Sequence, residues 1–260
     1  MELRNKIKKI TVFTALLILA ISPVSAIKKL NILTTNSWTT AYALAAGVDS
    51  PGQLAPSNMV HPPEYELKTS DVKKIKNADL MIFAGYEILM KTINEKFKKN
   101  DDQMLKIETG YDPVKMKNAI MSIAERNGTE DYAVKSIREI DDFFSTAVTS
   151  LKTKGIYGSP VFVNFHQKPL AEALGFKIIG VFGPMPLKVR QLQEFGNLKP
   201  VLIIDNVHNP LGQPLGEITG AERIELVNFP GYTGKDGKKV PATLIGVLKY
   251  NLKTLLDLKI

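Results

Sequence analysis

From Thr129 to Lys154 the chain carries apolar residues at Val134, Ile137, Ile140, Phe144, Val148 and Leu151, three or four apart, as one face of a helix requires. Glu130 and Asp131 suit the positive end of a helix dipole, and Gly155 supplies a stop. At roughly 1.5 Å per residue such a helix runs about 39 Å. It lies midway along a chain of 260 residues, so it divides the remainder into two halves and predicts a stiff connector between them.

Both halves alternate short Val-, Ile- and Leu-rich runs with amphipathic stretches, which is the pattern of parallel strands joined by crossover helices. The fold class is therefore α/β, with two lobes, each a parallel sheet flanked by helices. Strands are expected at Leu30 to Thr34, Leu80 to Ala84 and Met104 to Ile107, then at Val161 to Phe165, Lys177 to Phe182, Val201 to Ile204 and Arg223 to Val227. Helices are expected at Ser37 to Ala46, at Asp71 to Asn77 with Ser70 as N-cap, at Glu87 to Lys98, and from about Ala242 to Leu258. The implied divisions are an N-terminal lobe over 27–127, the connector over 128–155 and a C-terminal lobe over 156–260.

Residues 1–26 read as a secretory signal peptide. Arg4, Lys6, Lys8 and Lys9 form its basic start, Ile10 to Ile21 its apolar run, and Val24-Ser25-Ala26 its cleavage site. The apolar run is short for a membrane span. The leader holds four bases and one acid, so its loss lowers the formal charge from +8 to +5. The remaining bases are scattered rather than striped, which argues against a nucleic-acid partner. With no cysteine there is neither a disulfide nor an amino-terminal lipid anchor. A freely diffusing periplasmic or extracellular product is expected.

Three histidines occur in the whole chain, and each follows a strand signal or its loop. His61 comes after the first strand and helix, in front of Pro62 and Pro63, which restrict the backbone and pre-organise it. His166 directly follows the strand ending at Phe165, and His208 lies four residues after Ile204. Ligand sites in open parallel sheets form at the carboxyl ends of strands, so the three can converge. Imidazole suits a borderline cation such as zinc, and a tetrahedral site built on three imidazoles needs at least one carboxylate more. Taken singly, each histidine is also accounted for as a capping or hydrogen-bonding residue.

The segment HPPEYELKTSDVKKIKNADLMIFAGYE resembles the signature of the TroA-like zinc and manganese solute-binding receptors of ABC importers. His61, Tyr65, Glu66, Ser70, Asp71, Ala78, Asp79, Leu80 and Gly85 fit that pattern, with His61 two residues further from Tyr65 than is usual. VFVNFHQKPLAEALGFKIIGV is similar to the family's strand, histidine and helix segment, and VLKYNLKTLLDLK to its closing helix. The resemblance covers most of the chain after the leader. It implies two α/β lobes joined by one long helix, with a metal ion between them, and makes His61 and His166 candidate ligands.

Two positions depart from the family. Where its middle histidine stands in His-x-Trp-x-Asp-Pro, this chain has Glu108 in Glu108-Thr109-Gly110-Tyr111-Asp112-Pro113; the late aspartate is Asn228. Glu108 can supply oxygen, and His208 or Asp205 can replace what Asn228 lost. The resemblance thus implies a monomeric, non-enzymatic receptor that carries a divalent metal ion, zinc or else manganese, to an ABC permease. The alternatives are a divergent receptor holding a chelated metal or organic ligand, with Trp38, Tyr65 and Tyr111 lining the cleft, and a metallohydrolase with Glu64 or Glu66 as base.

Overall fold

The structure, a computed structural model, describes residues 30–234 and 237–259. The signal peptide read at 1–26 lies outside the described residues.

The first half contains β1 (Ile32–Thr34), α1 (Ser37–Ala45), β2 (Gly52–Gln53), α2 (Thr69–Asn77), β3 (Leu80–Phe83), α3 (Leu89–Phe97), β4 (Met104–Lys106) and α4 (Pro113–Asn127). The long helix α5 (Glu130–Lys154) follows. The second half holds β5 (Pro160–Asn164), α6 (Lys168–Ala173), β6 (Lys177–Phe182), α7 (Val189–Gly196), β7 (Leu202–Asn206), α8 (Gln213–Thr219), β8 (Glu222–Leu226) and α9 (Leu244–Leu256).

Every strand pair is parallel, and the two sheets share one topology, β2-β1-β3-β4 and β6-β5-β7-β8. Ile32 pairs with Leu80 in the first sheet and Val161 with Leu202 in the second. The strand order reverses between β1 and β3, and again between β5 and β7. The carboxyl ends of those pairs are where an open α/β sheet leaves a crevice.

Alternation along the strands assigns the core. Leu80 and Ile82 point into the large central cluster and Met81 into the outer layer of the first lobe; Val161 and Val163 point into the same central cluster and Phe162 into the outer layer of the second. Both faces are covered, so these strands read as continuous apolar runs. The central cluster runs unbroken from Ile32 and Trp38 in one lobe through Ile140 and Phe144 of α5 to Leu226 and Leu248 in the other. The lobes therefore share a core.

α5 spans 25 residues, about 38 Å, and packs against α1, α4 and α9. Its buried stripe is Ala133, Ile140, Phe143, Phe144, Ala147 and Leu151. Of the expected apolar face, Ile140, Phe144 and Leu151 are buried and Ile137 packs against the core, while Val134 stays at the rim and Ala133, Phe143 and Ala147 join the stripe. Gly155 ends the helix at φ 81°, a conformation open to glycine.

Local capping differs from expectation in two places. α2 starts at Thr69 rather than behind Ser70, because the Asp71 carboxylate accepts the Lys68 N–H at 3.0 Å and fixes the first turn there. α3 begins at Leu89, not Glu87, because Glu87 is buried in the loop before it and accepts from the Ala84 and Gly85 N–H groups and the Asn36 side chain. That carboxylate fills the strand-order reversal of the first sheet, leaving the corresponding place in the second sheet as the open one.

Candidate functional site

The residues at the open reversal point come from loops whose local geometry is fixed by asparagine. Asn164, the last residue of β5, accepts the His166 N–H at 3.1 Å and turns the chain into a short 3-10 turn, so β5 stops before Phe165. Asn206, the last residue of β7, accepts the His208 N–H at 3.2 Å in the same way. Each histidine therefore sits two residues beyond its strand, held by an Asx turn.

His61 arrives from the other lobe, on the loop after β2. It precedes the 3-10 turn Pro62–Glu64 with φ −123° and ψ 74°, and its carbonyl accepts the Glu64 N–H at 3.0 Å. The buried Pro62 and the bond from Ile88 N–H to Pro63 carbonyl, 3.0 Å, pin this loop to the segment before α3. Tyr65 closes the loop by donating to the Asp71 carboxylate at 2.7 Å. The backbone at His61 is thus preset while its side chain is exposed.

Together these loops enclose a cavity of about 140 Å³ lined by His61 and Glu64 from the first lobe and by His166, His208, Asn209 and Asn228 from the second. The three imidazoles differ in setting. Burial lowers the pKa of half-buried His166. His208 is 4% exposed, and burial first, then the charges of His61 and His166, pushes it down to about 4. Phe229 and Tyr232 meet its ring edge-on at 5.1 and 4.4 Å. Its Nδ1 accepts the Asn228 N–H at 3.4 Å, and its Nε2 has no hydrogen-bond partner.

Two expected ligands stand elsewhere. Glu108 is exposed and pairs with Lys115 at 3.1 Å, outside the cavity. Asp205 is fully buried below it, where its oxygens accept from Asn206, Leu211 and Gly212 N–H groups and from Arg223 at 2.8 Å. Five donors, counting the Asn164 amide, occupy that carboxylate. It holds the loop that carries His208. Trp38, Tyr65 and Tyr111 are buried in the hydrophobic clusters rather than lining a cleft. Glu64 is the carboxylate that does reach the cavity; its signal was its place one turn after His61, behind two prolines.

Among the described residues, no three His, Cys, Asp or Glu side chains stand close enough together to hold a metal ion as they are. Rotation of the exposed His61 and the half-buried His166 is what such a site requires. Among the described residues no helix is long and apolar enough to cross a membrane.

No protein-family model matches the chain, and no curated protein matches it. Solved structures do share its fold. The laminin-binding protein Lmb of Streptococcus agalactiae, described as an adhesin with metal transporting activity, superposes with a TM-score of 0.63 at 16% identity over 87% of this chain and 98% of that one. The Zn(II)-bound AdcA of Streptococcus pneumoniae gives 0.59 at 18% identity over 88% of this chain and 57% of that one. A Cd-bound periplasmic metal binding protein from Candidatus Liberibacter asiaticus gives 0.56 at 18% identity over 87% and 98%. At these identities the likeness establishes the two-lobed fold.

Proposed function

We propose that this chain is an exported receptor that captures a divalent cation between its lobes and delivers it to an ABC importer permease. The observation that carries the reading is the meeting of His61, from one lobe, with His166 and His208, from the other, at one cavity in the crevice. The shared fold with metal-binding proteins supports it. His61 and His166 are the proposed ligands, with Glu64 beside them. Lobes at 27–127 and 156–260, a connector at 128–155, export by the leader at 1–26 and action as a monomer complete the proposal.

Zinc is the favoured cargo. Imidazole nitrogen suits it, whereas manganese prefers carboxylate oxygen, and among the described residues Glu64 is the one carboxylate lining the cavity. The continuous core between the lobes opposes wide hinge opening, so capture proceeds by rotation of side chains on loops whose backbone is already set.

Thermal melting of chelator-stripped protein tests this. A cation that binds only the native state at 100 times its Kd adds about 2.7 kcal/mol, which raises Tm by roughly 5–10 °C for a chain of this size. His61→Ala and His166→Ala should remove that rise. Absence of any rise in the wild type overturns the proposal. A hydrolase reading draws on Glu64 lying beside the imidazoles; turnover of ester or phosphate substrates by the zinc-loaded protein would favour it over transport.

A further inference from the structure

The Asn228 backbone amide can only donate, so its bond to His208 Nδ1 leaves that nitrogen without a proton and puts the proton of the neutral ring on Nε2. Nε2–H is then a donor shut off from solvent with no acceptor among the described residues. Such a group is rare in a folded protein and points to a missing partner. The flanking Phe229 and Tyr232 rings hold the imidazole in place, but offer at most a weak π contact.

A histidine that binds metal through Nε2 needs Nδ1 protonated and donating to an acceptor. At His208 the neighbour of Nδ1 is itself a donor, so this side chain is wrongly set to be a ligand. The charge inventory agrees. Among the described residues Glu64 is the one carboxylate lining the cavity, and no Lys or Arg lines it. A divalent cation on His61, His166 and Glu64 keeps a net positive charge and lacks a fourth tetrahedral ligand.

We propose that the cavity takes its cation paired with a small carboxylate-type anion, whose oxygen fills the fourth position and accepts the hydrogen bond from His208 Nε2. This rests on the cation capture proposed above and names its ligand class: a divalent cation with bicarbonate or a monocarboxylate. A water occupies about 30 Å³ in the liquid, so a cavity of about 140 Å³ has room for an ion and an anion of bicarbonate size. The pairing requires that the shielded Nε2–H become reachable from the cavity when the ion binds.

The test is zinc competition against a chromophoric chelator in perchlorate, bicarbonate and acetate buffers, with circular dichroism to verify folding. One charge-assisted hydrogen bond and one added ligand should make wild-type affinity at least about tenfold higher in bicarbonate or acetate than in perchlorate. His208→Leu should lose the gain that bicarbonate or acetate gives over perchlorate, and His208→Gln, which retains an N–H donor, should keep part of it. In the zinc-loaded protein the 15N shifts of His208 should report a protonated Nε2. Equal affinity in all three buffers overturns the anion pairing, as does loss of zinc binding by folded His208→Leu and His208→Gln in perchlorate with a metal-bound Nε2 shift. A wild type that takes no zinc in any buffer overturns cation capture itself, and the pairing with it.

Discussion

Tyr111 donates its phenol hydrogen to the Val227 carbonyl at 2.6 Å, a bond between the loop after β4 in one lobe and the end of β8 in the other. Burial raises the pKa of that hydroxyl, so it remains a donor. Asn251 of α9 completes the knot, accepting the Val227 N–H at 2.9 Å and donating to its carbonyl at 2.9 Å. The next residue, Asn228, is the one that bonds His208. The lobes are thus joined by a buried polar clasp that leads into the cavity.

Removing the hydroxyl with Tyr111→Phe should cost about 1–2 kcal/mol, since Asn251 still serves the Val227 carbonyl. Asn251→Ala leaves the buried Val227 N–H without its acceptor and the carbonyl with Tyr111 alone, and should cost more, about 2–4 kcal/mol. The double variant should lose more than the two losses added, because only it strips the buried Val227 carbonyl of both side-chain donors. Urea unfolding of the three variants measures this.

Asp205→Asn separates a structural carboxylate from a ligand. It removes the charge that pairs with Arg223 and sets an amide against the Leu211 and Gly212 N–H donors. A loss of about 3–5 kcal/mol is expected, as for breaking a buried ion pair. The rise in Tm on adding zinc should survive; its disappearance would return Asp205 to the ligand set.

Glu108→Gln should change little. The Glu108 side chain is 67% exposed and its partner Lys115 51%, and such pairs contribute at most about 1 kcal/mol. Stability within about 0.5 kcal/mol of wild type and unchanged zinc affinity are expected. A marked fall in affinity on titration would place Glu108 at the ion.

Buried His208 makes apo-protein stability depend on pH. Its folded pKa of about 4 lies below the usual histidine value near 6.5, with burial the main cause. The unfolded chain therefore binds the proton more readily, and stability falls as pH drops from about 6.5 to about 4, by up to about 3 kcal/mol. Above the unfolded value the contribution is complete. Urea unfolding between pH 7.5 and 4 should show this slope in the wild type and a shallower one in His208→Leu.

Much of this fold was legible because its strands are buried on both faces and its long helix carries an unbroken apolar stripe. Val161, Phe162 and Val163 advertise a central strand by being all apolar, and Gly155 marks the end of α5. β2 was not legible, since two residues, one a glycine, carry no period. α4 carries its signals too, Asp112 as N-cap, Pro113 in the first turn and Met116, Ile120 and Ile123 on one face, although no helix was expected there. At the cavity, the histidines were legible as rare residues placed after strands. The fates of Glu108 and Asp205 were not, because what decides them is an ion pair with Lys115 in one case and with Arg223, eighteen residues further along, in the other.

The most direct measurement is anomalous diffraction at the zinc edge from crystals of the zinc-loaded protein. The expected result is one strong peak in the crevice, with His61 and His166 nitrogens about 2.0–2.1 Å away. A peak elsewhere on the surface, or a crevice empty of metal in protein that has been given stoichiometric zinc, contradicts cation capture at this cavity.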